Sequence, residues 1–140
     1  MTLLIRDYCA LDYEPVVALW CECFPEIIEG ETAFQKMLAR KLAFQPHPFL
    51  VAVTGDRVVG TAVGGMDGIC AWVYLVAVHP SARRQSVGSQ LVRGVVDRLR
   101  DMGADKVALQ YFEARPELRQ FYESLGFKVE PRVTMGQRVG

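Results

Sequence analysis

The chain has 140 residues, 51% of them hydrophobic, and sixteen basic residues balance sixteen acidic ones. That length fits one domain over residues 1–140 with a sizeable core, and the even charge gives no reason to expect nucleic acid or a membrane as partner. There is no apolar run of membrane-spanning length, nothing at the N-terminus reads as a signal peptide, and Cys9, Cys21, Cys23 and Cys70 lack metal-ligand spacing. A reducing cytoplasm, small buried thiols and no bound metal are the expectations.

In chain order, Leu3 to Arg6 reads as a first strand. Asp12 is placed to cap a helix whose Val16, Val17, Leu19 and Trp20 share one apolar face, and Pro25 ends it. A second helix is predicted from Thr32 to Leu42, with Thr32 or its neighbour as cap and Phe34, Met37, Leu38, Lys41 and Leu42 at helical spacing. His47 lies between Pro46 and Pro48 in a connecting loop. Phe49 to Val53 and Arg57 to Val63 are β-branched strands around the hairpin signal Thr54-Gly55-Asp56. Gly64-Gly65-Met66-Asp67-Gly68 then turns into a third strand, Trp72 to Val78, whose apolar residues on both faces mark it as central.

A helix follows from Val87 to about Arg100, with Val87, Leu91, Val92, Val95, Val96 and Leu99 facing the sheet, and Gly103 stops it. Lys106 to Tyr111 is the next strand, and the helix before it allows parallel pairing with Trp72 to Val78 as a βαβ unit. Pro116 suits the first turn of a last helix carrying Leu118, Phe121, Tyr122 and Leu125, closed by Gly126. Phe127 to Val139 is expected to return as one or two short strands, broken near Pro131. The order β-α-α-β-β-β-α-β-α-β implies an α/β (α+β) fold, a mixed and mostly antiparallel sheet with helices on both faces.

The chemistry concentrates at Arg83-Arg84-Gln85-Ser86-Val87-Gly88. A sharp strand-to-helix turn leaves backbone N–H groups unpaired at the positive end of a helix, a geometry suited to phosphate, and the two arginines add charge. The turn follows the end of a strand beside a parallel neighbour, the crevice in which open α/β sheets bind ligands. Walker A and GxGxxG spacings are absent.

Together with Phe121-Tyr122-Glu123-Ser124-Leu125-Gly126-Phe127, this segment resembles the GNAT superfamily of acyl-CoA-dependent N-acyltransferases, most closely the small stand-alone bacterial proteins of the YpeA type. The likeness covers nearly the whole chain and is strongest from Phe49 to Phe127. The family's R/Q-x-x-G-x-G/A turn falls on Arg83 to Gly88 with Ser86 in the first glycine slot. A serine there at negative φ keeps its N–H and adds a hydroxyl donor, whereas a Cβ that crowds or strains the turn weakens binding. The resemblance implies that Arg83, Arg84, Gln85, Ser86, Val87, Gly88 and Ser89 hold the pyrophosphate of coenzyme A. It implies that Val76 and Val78 make main-chain contacts to the acyl and pantetheine groups, on a strand that bulges and splays from its parallel neighbour.

Tyr122 stands in the family's [LF]-Y-x-x-x-G-F run and by resemblance protonates the departing thiolate, a reasonable task for a phenol with a pKa near 10. Arg115 occupies a slot where many relatives carry Asn, and either meets a coenzyme A oxygen or lies at the surface. The general base stays open among Asp67, Glu26, Glu113 and a water chain, and His79 reads as a turn-stabilising residue. Ile69-Cys70-Ala71 departs from the basic, glycine-containing stretch of the relatives. Glu22, Glu26, Glu29 and Glu31 crowd a loop that walls the acceptor site in the family; they are either a solvated acidic surface or a cluster favouring a cationic amine. The implied activity is transfer of an acetyl group from acetyl-CoA to a primary amine of a small molecule or peptide, by a monomer or homodimer. An acyl-CoA-binding regulatory module with little turnover is the alternative, and the scaffold does not name the acceptor.

Overall fold

A computed structural model describes residues 2–27, 29–44 and 47–140. Strand β1 (Leu3–Asp7) leads through a short 3-10 turn, Ala10–Asp12, into helices α1 (Tyr13–Cys23) and α2 (Glu31–Leu42). Strands β2 (Phe49–Thr54), β3 (Arg57–Met66) and β4 (Ala71–Val78) follow, then α3 (Val87–Asp101), β5 (Val107–Leu109) and α4 (Leu118–Ser124). The five strands lie in the spatial order β1-β2-β3-β4-β5, antiparallel up to β4, with β4 and β5 parallel.

The alternation within β2 explains the two layers. Phe49, Val51 and Val53 face α1 and α2, where Val16, Trp20, Phe34 and Leu38 cover them. Leu50 and Ala52 face the other way, under Leu91, Val95 and Leu99 of α3. Both faces of the strand are thus buried by helices, as the paired apolar runs require.

Several local expectations are corrected. Asp12 does not cap α1 with its side chain. Its carboxylate accepts from Arg6 Nη1 and Nη2 at 2.8 and 3.0 Å and from the Cys9 N–H at 2.9 Å, and the Arg6 hydrogen bonds hold it below the usual carboxylate range. Helix α2 starts one residue early, after Gly30 at φ +58°. Pro46, expected beside His47, lies outside the described residues. Cys9, Cys21 and Cys70 are exposed and only Cys23 is a buried thiol, because Cys9 and Cys70 lie in connecting segments and Cys21 faces away from the buried side of α1.

Strand β4 has both neighbours only over its first half. Ala71, Trp72 and Val73 pair with Val107, Ala108 and Leu109, after which β5 ends, three residues long rather than six, and Tyr74 is 47% exposed. The expected returning strand over Phe127 to Val139 is absent: this segment has no ladder partner among the described residues. Pro131 lacks a donor and β5 offers a short edge. The segment instead runs alongside β5 through side chains, Lys106 to Glu130 and Gln110 to Thr134 at 2.7 Å, with a groove of about 1180 Å³ between. Among the described residues no helix is long and apolar enough to cross a membrane.

Candidate active site

The site begins with an irregularity in β4. Thr61 pairs with Ala77 and Val63 with Tyr74, so Leu75 and Val76 together stand opposite Ala62. This is a β-bulge, and Leu75 within it has φ +50°, a strained value for a branched side chain. A buried relay holds it. The Trp20 indole N–H donates to Thr61 Oγ1 at 2.9 Å, and the Thr61 hydroxyl donates to the Leu75 carbonyl at 2.8 Å. The bulge begins two residues after the last β4–β5 pair, so the strands separate beyond Val73 and leave a cleft of about 1130 Å³.

One end of the cleft is the turn into α3. Arg84 and Ser86 have φ +66° and +62°, so Ser86 is left-handed rather than at the negative φ under which serine is at ease. Its side chain makes no capping bond. Val87, Gly88 and Ser89 form the first turn of α3, where N–H groups have no intrahelical acceptor, and Arg83, Arg84 and Gln85 are exposed beside them. Arg83 Nε donates to the Val78 carbonyl at 3.2 Å, and Gln85 Nε2 to the Ser81 carbonyl at 3.5 Å. A Cβ on Gly88 would meet the Phe121 ring at 3.1 Å, so this glycine also lets α4 approach α3. Val76 and Val78 line the same cleft.

Tyr122 lies in the cleft wall, 7% exposed. Its ring stacks on Tyr111 at 5.9 Å and meets Phe121 and Phe127 edge-on at 4.9 and 6.0 Å. Burial pushes its phenol up to about 12, so it keeps its proton at neutral pH.

Arg115 also borders the cleft, but its guanidinium is engaged. It donates to Glu26 at 2.6 and 3.2 Å and to the Cys23 carbonyl at 2.6 Å, strapping the segment before α4 to the end of α1. Those hydrogen bonds lower the Glu26 pKa, which leaves it a poor proton acceptor. Asp67 accepts from the Cys70 and Ile69 N–H groups at 2.7 and 2.8 Å, which hold it ionised in a turn. Glu113 is exposed and outside the cleft. His79 accepts from the Ser81 N–H at 3.1 Å and so stabilises the turn after β4. Of the acidic loop, Glu22 lies 3.4 Å from His79, Glu29 pairs with Arg138 at 3.2 Å and Glu31 accepts from Gln35. None of the four glutamates lines the cleft.

Two participants had escaped the sequence. The Trp20–Thr61 pair spans 41 residues, and no periodicity reports a contact of that kind. Lys41, read as one of several residues at helical spacing, lines the cleft and donates to the Gly64 carbonyl. A lysine on a face otherwise apolar was the available signal.

Comparison with known proteins matches residues 13–127 to the family model described as acetyltransferase (GNAT) family. An acetyltransferase of Pectobacterium atrosepticum is 29% identical over 135 residues, 96% of this chain and 94% of that protein. The fold superposes on an aminoglycoside N-acetyltransferase, AAC(6')-Iy, solved in complex with CoA, with TM-score 0.83 at 18% identity over 98% of this chain and 95% of that one. A structure described as a transcriptional regulator from Bacillus halodurans superposes with TM-score 0.78 at 21% identity, covering 99% and 100%.

Proposed function

This chain belongs to the acetyltransferase (GNAT) family, and we propose that it uses acetyl-CoA to acetylate a primary amine by direct transfer. The observation that carries this reading is the continuity of one cleft from the turn at Arg83 to Ser89, past the Leu75 bulge, to the buried and protonated Tyr122. In this reading the N–H groups of Val87, Gly88 and Ser89, with Arg83, Arg84, Gln85 and Ser86, hold the pyrophosphate. The main chain at Val76 and Val78 aligns the thioester arm in the gap left by β5. As the new C–N bond forms and the C–S bond breaks, Tyr122 gives its phenolic proton to the departing sulfur and recovers one from solvent. The amine's proton leaves through water, since Glu26 and Asp67 are both held ionised by donors. Arg115 flanks the cofactor arm with its charge largely met by Glu26.

A second reading, an acyl-CoA-binding module with little turnover, is favoured by the strained Ser86 and by a cleft lining that, among the described residues, holds one carboxylate, the exposed Glu117 at the start of α4. Calorimetry with coenzyme A and thiol release from acetyl-CoA across a panel of amines separate the two. Binding with amine-dependent thiol release is the expected result. Binding without release from any amine would leave the module, and no binding would remove both.

A further inference from the structure

The cleft lining also includes Trp72 and Tyr74 from the start of β4 with Phe24, Ile27 and Met37, and Lys41 adds one cation from the last turn of α2. Among the described residues the Lys41 ammonium has one hydrogen-bond partner, the Gly64 carbonyl on β3. Of its three N–H donors, two have no acceptor among those residues. No carboxylate pairs with it among the described residues, and Glu117, beside α4, is the only acidic residue in the cleft lining. Lys41 also acts on His47, whose imidazole accepts from the Met66 N–H at 3.0 Å and is disfavoured as a cation by burial and by the Lys41 charge. Burial brings Lys41 down to about 8, which leaves it mostly charged at pH 7.

A partly desolvated cation with no paired carboxylate among the described residues is costly, and here it lines the same cleft as the proposed cofactor site. The glutamates that would have drawn a cationic amine are committed to Arg115, Arg138, Gln35 and His79, outside the cleft. Electrostatic complementarity around Lys41 therefore selects an anion, and the apolar side chains of the lining select an apolar body.

We propose that the acceptor is an amine bearing a carboxylate on an apolar skeleton, as in an aromatic or long aliphatic α-amino acid. Its carboxylate meets Lys41 Nζ, and its side chain lies against Met37, Ile27 and Tyr74. The proposal rests on the transferase reading above and names the substrate class of that site.

The test compares matched acceptors with saturating acetyl-CoA: L-phenylalanine against phenethylamine, and L-methionine against 3-(methylthio)propylamine. Thiol release is followed for the wild type, Lys41→Met and Lys41→Arg, with coenzyme A affinity and thermal unfolding as checks on folding. The wild type is expected to prefer each amino acid over its decarboxylated partner. In Lys41→Met that preference falls by about 10- to 100-fold, the range for losing a charge-assisted hydrogen bond, through the KM of the amino acid, and Lys41→Arg keeps most of it. An equal preference in the wild type overturns the proposal. So does a Lys41→Met variant in which kcat falls alike for both acceptors of a pair, since that is the signature of a proton acceptor. Turnover of the carboxylate-free amines alone sinks the substrate class and leaves the transferase standing. Coenzyme A binding with no turnover of either set sinks both.

Discussion

In the proposed transfer the proton donor must keep its proton until the sulfur develops charge, and burial of Tyr122 against Tyr111, Phe121 and Phe127 suits it to that role. Tyr122→Phe retains the ring and removes the proton. We expect kcat to fall by about 10²–10⁴, with coenzyme A affinity changed by less than ~1 kcal/mol; full activity where chemistry limits the rate would return Tyr122 to a packing role. The same burial has a signature in stability. The unfolded phenol ionises near 10 and the folded one at about 12, so its contribution is complete below pH 10 and is lost as pH rises from 10 toward 12. Thermal midpoints of Tyr122→Phe should therefore decline less steeply over that interval than those of the wild type. At Ser86 the sequence showed the departure from glycine but not the sign of φ, which depends on how the turn joins β4 to α3. Observed at +62°, the serine carries a left-handed penalty of about 1–2 kcal/mol, partly offset by the extra unfolded-state freedom a glycine would bring. Ser86→Gly should gain up to about 1 kcal/mol in urea titration and hold or improve coenzyme A affinity. A loss of stability would mean that the serine side chain supports the turn.

At the scale of elements, strands and helices were readable because alternation and helical spacing are local, and β2, β3 and α3 begin where Phe49, Arg57 and Val87 suggested. The bulge was expected only from the family resemblance, and no local pattern in the sequence reports it. It exists because Trp20 on α1 and Thr61 on β3 meet beside Leu75, contacts 41 and 14 residues apart in the chain. The bulge therefore belongs to the packing of α1 on the sheet. Thr61→Val keeps the shape of a residue that is fully buried while removing both hydrogen bonds. The Trp20 N–H and the Leu75 carbonyl are then left without that partner, and an unsatisfied buried group costs about 1–3 kcal/mol. The variant should unfold at lower denaturant by that amount. It should also lose activity beyond what stability accounts for, with kcat/KM down about tenfold, because a 1 Å shift of the thioester arm is felt strongly. Reduced stability with unchanged kcat/KM would show that the bulge survives without its relay.

Across the whole molecule, the mixed sheet and its two helical layers could be anticipated from element order and the parallel crossover at α3, and the β4–β5 separation from the family resemblance. The C-terminal segment could not. Val129, Val133, Met135 and Val139 recur at odd positions, the spacing of a strand, yet they are 62 to 92% exposed. A period of two states which residues share a face and is silent about whether a neighbouring strand is within reach. Beyond Glu130 the segment is tied to the rest of the molecule by Gln110 to Thr134 and by Arg138 to Glu29, both exposed contacts. Such contacts contribute less than about 1 kcal/mol each. A chain ending at Glu130 should therefore keep its thermal midpoint within about 4 °C of the full chain and its denaturant slope unchanged, since little apolar surface is buried by the missing part. Calorimetry and urea titration of the two chains, at matched concentrations, decide it. A midpoint lower by several times that amount, with a smaller slope, would mean that residues 131–140 bury their alternating face against a sheet edge in solution.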